Sequence, residues 1–302
     1  MKHLLKLSDL SSEEILSILN LADQLKYERK NHMEHPLLKG KTLGMIFQKS
    51  STRTRVSFET GMYQLGGHAL FLSSRDLQIG RGEPVQDTAR VLSRYLDAIM
   101  IRTFDQAEVE ALAEYGSIPI INGLTDYCHP CQVLADLMTV REYKHSLKDL
   151  KLAFIGDGNN MANSLIVGGI KVGMTVAVAC PPNYQPDEKL MRWASENGNF
   201  TCTSDVLAAA KDADVLCTDV WASMGQEGEA DKRRSVFEGY QVNEQVMAAA
   251  HPDAMVQHCL PAHRGEEITE AVFEAHAAEI FEEAENRLHA QKAVLVKLLA
   301  EK

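Results

Sequence analysis

Short apolar, strand-like runs alternate with amphipathic helical patterns along nearly the whole chain, and that alternation leaves few architectures open. A chain passing repeatedly from strand to helix to strand buries both faces of its sheets when the strands run parallel and helices cover them. Strand patterns read at 42–47, 69–72, 98–102, 118–121, 151–156, 174–179, near Phe200, and at 214–218 and 255–259. The first helix opens on a capping box, Ser11-x-x-Glu14. Further helical patterns read at 52–65, 84–95, 105–115, from Pro130 to Tyr143, up to Val172, at 186–197 and at 283–299. A chain of 302 residues reaches the ~250–300 at which one core stops growing. The expected fold class is therefore α/β, with two doubly wound domains, each a mostly parallel sheet flanked by helices. The polar segment His145-Ser146-Leu147-Lys148-Asp149 reads as a linker. The expected limits are 1–144, 145–282 and 283–302. The last segment is a helix whose apolar stripe (Leu288, Ala293, Leu295, Val296, Leu299) packs back on the first domain.

The formal net charge of −11 argues against a nucleic-acid partner, so an anionic ligand needs a local cationic pocket. The N-terminus has no apolar core of a secretory signal, and no apolar run reaches the ~18 residues of a membrane span, which points to a cytoplasmic protein with no membrane partner. Six cysteines fall mostly in apolar runs, as buried reduced thiols do. Cys128-His129-Pro130-Cys131 matches the C-x-x-C redox pattern but lies mid-chain, outside the context such a motif requires.

The most informative stretch is Ser50-Ser51-Thr52-Arg53-Thr54-Arg55-Val56-Ser57-Phe58-Glu59, which follows a strand and opens a helix. Backbone N–H groups without intrahelical partners point outward at the positive end of the dipole. Hydroxyls at 51, 52 and 54 and guanidinium groups at 53 and 55 complete a receptor for a phosphate dianion. The plainer reading is an N-cap with solvated arginines, Arg55 pairing with Glu59 one turn on. The nucleotide P-loop pattern is absent. Arg102 stands at the end of strand 98–102, where open α/β sheets bind ligands. His129 and Gln132, at another strand-to-helix junction, offer an imidazole and an amide to a carbonyl.

Ser51-Thr52-Arg53-Thr54-Arg55, His129-Pro130-Cys131-Gln132 and His258-Cys259-Leu260-Pro261 resemble the three signature motifs of the aspartate/ornithine carbamoyltransferase family. Asp76-Leu77-Gln78-Ile79-Gly80-Arg81-Gly82-Glu83 and Asp219-Val220-Trp221-Ala222-Ser223-Met224-Gly225 are similar to its ornithine branch. The resemblance implies transfer of a carbamoyl group from carbamoyl phosphate to the δ-amine of L-ornithine, without metal or organic cofactor. It implies that Ser51, Thr52, Arg53 and Thr54 grip the phosphate and that Arg102 bridges phosphate and carbonyl oxygen. His129 and Gln132 bond the carbamoyl group, Cys259 and Leu260 line the reacting centre, and Arg287 adds a distal cation. Asn160, Asp219, Ser223 and Met224 resemble the ornithine contacts, with Asn159 an alternative to Asn160. Gln78 resembles a residue reaching into a neighbouring subunit's site, in a homotrimer with sites at subunit interfaces. Arg102, His129, Asp219 and Cys259 are the expected catalytic set.

Several other readings compete. Cys259 also reads as a buried strand thiol. His258, Cys259 and His263 lack the spacing of a structural zinc site. Gly156-Asp157-Gly158 after a strand suggests a nicotinamide-dependent dehydrogenase, but Met161 occupies the position of the third fingerprint glycine. A non-enzymatic anion binder is a further option. The Gly- and Ser-bearing stretch after Trp221, charged through Arg234, reads as a mobile surface loop. Within the family an aspartate pocket calls for Lys or Arg, whereas Asp219, Ser223 and Met224 suit a cation. Putrescine and an N-acylated ornithine remain alternative amines.

Overall fold

The computed structural model describes residues 1–222 and 227–300. The chain divides into two compact units, Met1–Ala135 with Asn286–Lys302, and Asp136–Glu285. These limits differ from the expected 145 and 283 because a continuous helix carries the chain over each of them.

In the first unit the elements are α1 (Ser12–Lys30), β1 (Thr42–Phe47), α2 (Thr52–Gln64), β2 (His68–Ser73), α3 (Val85–Leu92), β3 (Ala98–Arg102), α4 (Gln106–Tyr115) and β4 (Ile120–Leu124). α5 (Pro130–Lys144) then leads into the second unit. All strands pair in parallel, in the order β2-β1-β3-β4. Ser11 caps α1, and the capping box with Glu14 forms. β4 begins two residues later than expected and runs through Asn122 and Gly123. Both break an apolar pattern, yet both fit: the Asn122 amide donates to the carbonyl of Leu5, and a Cβ at Gly123 would lie 2.5 Å from Met100 Sδ.

The second unit holds β5 (Lys151–Ile155), α6 (Asn160–Lys171), β6 (Thr175–Ala179), α7 (Glu188–Asn197), β7 (Phe200–Thr203), α8 (Val206–Ala210), β8 (Val215–Thr218), α9 (Ala230–Phe237), α10 (Glu244–Ala249), β9 (Met255–His258) and α11 (Glu270–Ala275). Its sheet is also parallel, in the order β7-β6-β5-β8-β9. β5 is buried on both faces except at Lys151, which explains its unbroken apolar sequence.

The loop expected through Arg234 is instead partly α9. Its anchors are hidden in a charged composition: Arg233 is buried against Asp157 at 2.7 Å, and Phe237 is buried among Tyr184, Trp221 and Tyr240. The last helix, α12 (Ala277–Leu299), starts six residues before the expected Glu283. Good helix formers fill that stretch, and Ile280 within it is buried.

The end of α12 belongs to the first unit and is tied there by polar bonds. Lys26 Nζ donates to Asn286 Oδ1 at 2.6 Å. Lys292, fully buried, meets His35 Nε2 at 2.6 Å and Gln64 Oε1 at 2.9 Å. Gly61 on α2 leaves room for this, since a Cβ there would stand 3.2 Å from Lys292 Cγ. Burial, with Arg29 nearby, pushes the Lys292 ammonium down to about 8.

Lys292 therefore contributes a defined pH dependence. Between about 8 and its ordinary 10.5 the unfolded chain still binds a proton that the folded one has shed, so stability rises with pH in that window. Urea melts at both ends of the window should show wild type gaining on Lys292→Met as pH rises. A constant difference between the two proteins refutes the assignment.

Candidate active site

In the first unit the chain leaves β1 toward β2 on one side of the sheet and toward β3 and β4 on the other. The crevice outside the carboxyl ends of β1 and β3 is therefore the place for a ligand. Phe47, Arg102 and Leu124 are in register at those ends. Beyond β1, Ser51 caps α2, its Oγ accepting from Thr54 N at 3.2 Å. The first turn of α2 carries no acidic residue to offset its positive end.

Buried Thr54 ties this corner together. Its Oγ1 accepts from Arg287 Nη2 at 2.9 Å and from Arg102 Nη1 at 3.5 Å. His129, immediately before α5, is buried nearby. Burial first, then the charges of Arg287 and Arg102, hold its imidazolium form well below the usual range. A neutral imidazole at pH 7 can still donate a hydrogen bond to a carbonyl oxygen. Gln132 is buried in the first turn of α5. Arg53 is half-buried and Thr52 exposed on the α2 turn. Gln78 stands exposed on the short turn Gln78–Arg81, outside this hydrogen-bonded set. Arg55 takes the plainer reading: it pairs with Glu59 at 3.0 Å on the surface and covers the Phe71 ring.

Cys128 and Cys131 do not behave as a redox pair. Burial pushes both thiols up to about 12, the reverse of what a reactive cysteine needs. The Cys131 thiol donates to the carbonyl of Asn122 at 3.4 Å.

In the second unit the sheet reverses between β5 and β8, which again marks a crevice at the strand ends. Three candidates meet there. Asn159 caps α6, its Oδ1 accepting from Met161 N and Ala162 N at 2.9 and 3.3 Å. Its Nδ2 donates to Asp219 Oδ2 at 3.0 Å. Asp219 Oδ1 accepts from Val220 N at 2.8 Å and from the Cys259 thiol at 3.1 Å. Asn160, buried, is the first residue of α6. Desolvation, then the adjacent Asp219 carboxylate, raises the Cys259 thiol well above its usual range, so it is a protonated donor at neutral pH. Ser223 and Met224 lie outside the described residues.

The Gly156-Asp157-Gly158 loop has a local cause. Gly156 has φ +145°, and a Cβ at Gly158 would lie 2.3 Å from Pro186 N. Gly158 admits the chain at 184–186, whose Tyr184 carbonyl accepts from Gly158 N at 2.8 Å. Met161 is buried where a dinucleotide fingerprint needs a third glycine.

The His258-Cys259-Leu260 corner is held from behind. His258 N donates to Glu283 Oε2 at 2.9 Å, and its ring lies 3.0 Å from Glu267 Oε1. Leu260, at φ +57°, donates its N–H to His258 Nδ1 at 2.9 Å. Sequence reading did not single out Glu267, Glu283 or the Asp157–Arg233 pair. Arg233 also donates to the Trp221 carbonyl at 2.8 Å. The partners of each lie far apart in sequence or outside any motif, so only the fold joins them.

The Asp219–Cys259 contact has a measurable sign. Asp219→Asn removes a charge that disfavours the thiolate, so alkylation of Cys259 at pH 8, followed by peptide-resolved mass spectrometry, should quicken roughly tenfold. An unchanged or slower rate contradicts this electrostatic account.

Comparison with known proteins bears on the whole chain. Residues 2–142 match the family model described as aspartate/ornithine carbamoyltransferase, carbamoyl-P binding domain. Residues 148–298 match its Asp/Orn binding domain. A Pyrococcus abyssi protein called ornithine carbamoyltransferase is 56% identical over 99% of this chain and 96% of its own length. Another of that name from Anoxybacillus flavithermus is 58% identical with the same coverage. The solved ornithine carbamoyltransferase of Pyrococcus furiosus superposes with a TM-score of 0.96 at 53% identity, covering 100% of this chain and 98% of that one. The anabolic enzyme of Campylobacter jejuni gives a TM-score of 0.94 at 44% identity, covering all of both chains. Both halves match in order across nearly every residue, and on that ground the chain belongs to the aspartate/ornithine carbamoyltransferase family.

Proposed function

We propose that this protein transfers the carbamoyl group of carbamoyl phosphate to the δ-amine of L-ornithine, giving citrulline and phosphate. The observation that carries the reading is the meeting of Arg102 and Arg287 on Thr54 at the start of α2. Two guanidinium groups, hydroxyls and helix N–H groups together suit a phosphate dianion. The relatives' names supply the amine, and Asp219 agrees with it, because a buried carboxylate suits an ammonium rather than a second carboxylate.

In this reading the first unit, with Ser51, Thr52, Arg53, Thr54 and Arg102, holds the phosphate, and Arg287 adds to the cationic field. His129 and Gln132 bond the carbamoyl oxygen and nitrogen, with Cys259 and Leu260 at the reacting centre. In the second unit Asn160 or Asn159 bonds the ornithine α-carboxylate, Asp219 the α-ammonium, and Ser223 and Met224 close on the side chain. The δ-ammonium has an aqueous pKa of roughly 10 and must lose a proton before it attacks. Desolvation beside Asp219 and Cys259 governs that loss. Attack creates a tetrahedral oxyanion for which Arg102, neutral His129 and Thr54 are preorganised donors. Phosphate then departs with its charge held by Arg53 and Arg102. Cys259 acts as a neutral thiol, and no covalent intermediate is required. Gln78, exposed on its turn, is assigned to a neighbouring subunit's site within a homotrimer, and the setting is cytoplasmic arginine biosynthesis.

Citrulline and phosphate should form from ornithine and carbamoyl phosphate in chelator-treated buffer. At equal concentrations putrescine and N-acetylornithine should be poor substrates, since a pocket built to bond a group rejects the analogue lacking it. Preference for either one overturns the ornithine assignment, and no turnover with any amine overturns the reaction.

Arg102→Ala should lower kcat by about 10²–10³-fold, the usual loss for one oxyanion donor, while the melting temperature stays close to wild type. A wild-type kcat in this variant removes Arg102 from the chemistry.

A further inference from the structure

The second unit carries a thiol pair that the proposed reaction does not use. Cys202 lies in β7, an edge strand whose one sheet neighbour is β6, and Cys180 follows the last residue of β6. Val178 is in register with Cys202, so Cys180 stands two positions further along the neighbouring chain and on the same face. The two Sγ atoms are 3.8 Å apart. Cys180 is buried and Cys202 half-buried, so a reagent in solvent reaches Cys202 first.

Chemistry separates the two sulfurs further. The hydrogen bond between the two sulfurs lowers the pKa of Cys202, while the same bond and burial raise that of Cys180. Burial raises the other four thiols, at Cys128, Cys131, Cys217 and Cys259. A half-buried thiol of lowered pKa within reach of a second thiol is the arrangement in which oxidation goes on to a disulfide.

We propose that Cys202 and Cys180 form a reversible redox site that reacts with hydroperoxides to give an intramolecular disulfide. The Cys202 thiolate attacks the terminal peroxide oxygen. The O–O bond breaks, leaving Cys202 as a sulfenic acid, and the departing alkoxide takes a proton from solvent to become an alcohol, or water when the oxidant is hydrogen peroxide. The Cys180 sulfur then attacks the Cys202 sulfur and displaces hydroxide, which leaves as water with the Cys180 proton. Two thiols and one hydroperoxide thus yield one disulfide, one alcohol and one water, the sulfurs losing the two electrons that the peroxide gains. The sulfurs must close from 3.8 Å to about 2.05 Å. β7 is hydrogen-bonded along one edge only and Cys202 is half-buried, so the edge strand carries the movement toward the buried Cys180.

The test treats the intact protein with one equivalent of hydrogen peroxide, blocks remaining thiols and digests without reductant. Mass spectrometry should find a Cys180–Cys202 cross-linked peptide lacking two hydrogens, and dithiothreitol should restore both thiols. In Cys180→Ser, Cys202 should stop at the sulfenic acid and be trapped by dimedone. In Cys202→Ser, Cys180 should stay reduced. Wild-type protein in which Cys202 is trapped without any cross-link, or in which another cysteine oxidises first, overturns the proposal whatever the variants do.

Discussion

Two like-charged guanidinium groups converge on one neutral hydroxyl at Thr54, and the first unit is arranged around that convergence. Arg102 arrives from the end of β3, Arg287 from α12, and Thr54 from the first turn of α2. Each of the three elements is positioned by independent structure: strand register, helix burial and an N-cap. The cluster concentrates positive potential inside a chain of net charge −11, and that potential adds to burial in keeping His129 neutral. Under the proposed function, this is the corner that receives the phosphate dianion.

The second unit uses the opposite sign. Asp219 gathers an amide from Asn159, a backbone N–H from Val220 and a thiol from Cys259, each from a different strand end. Three donors on one carboxylate hold its position without cancelling its charge. Both constellations follow from one topological fact, a parallel sheet whose strand order reverses. Such a reversal opens a crevice at the strand ends, and the loops leaving those ends carry the residues of the proposed site.

Much of this was legible in sequence because the relevant signals are local. A strand followed by Ser51 and a run of hydroxyls and arginines announces a capped helix start, and β1, β3 and α2 stand within a residue of where the patterns put them. What escaped is non-local. Arg233 reads as one more charge in a polar stretch until Asp157, 76 positions away, is brought beside it. The same stretch therefore looked like a loop although its end is the start of α9. Gly158 looked like part of a nucleotide fingerprint, and only the chain at 184–186 shows that its missing Cβ makes room for backbone. Gln78 is exposed on its turn, so its role rests on the resemblance and its proposed partner is another subunit.

The first unit is discontinuous in sequence: its last piece, Asn286–Lys302, follows the whole of the second. A ribosome therefore delivers Arg287 and Lys292 only after every residue of the second sheet has been made. Until then Thr54 lacks its bond from Arg287 and Gln64 its bond from Lys292. The second unit is uninterrupted and can assemble while synthesis continues, in keeping with domains folding as units. The Thr54 corner is thus completed only once α12 has been made, and a nascent chain truncated before α12 carries the motif without Arg287.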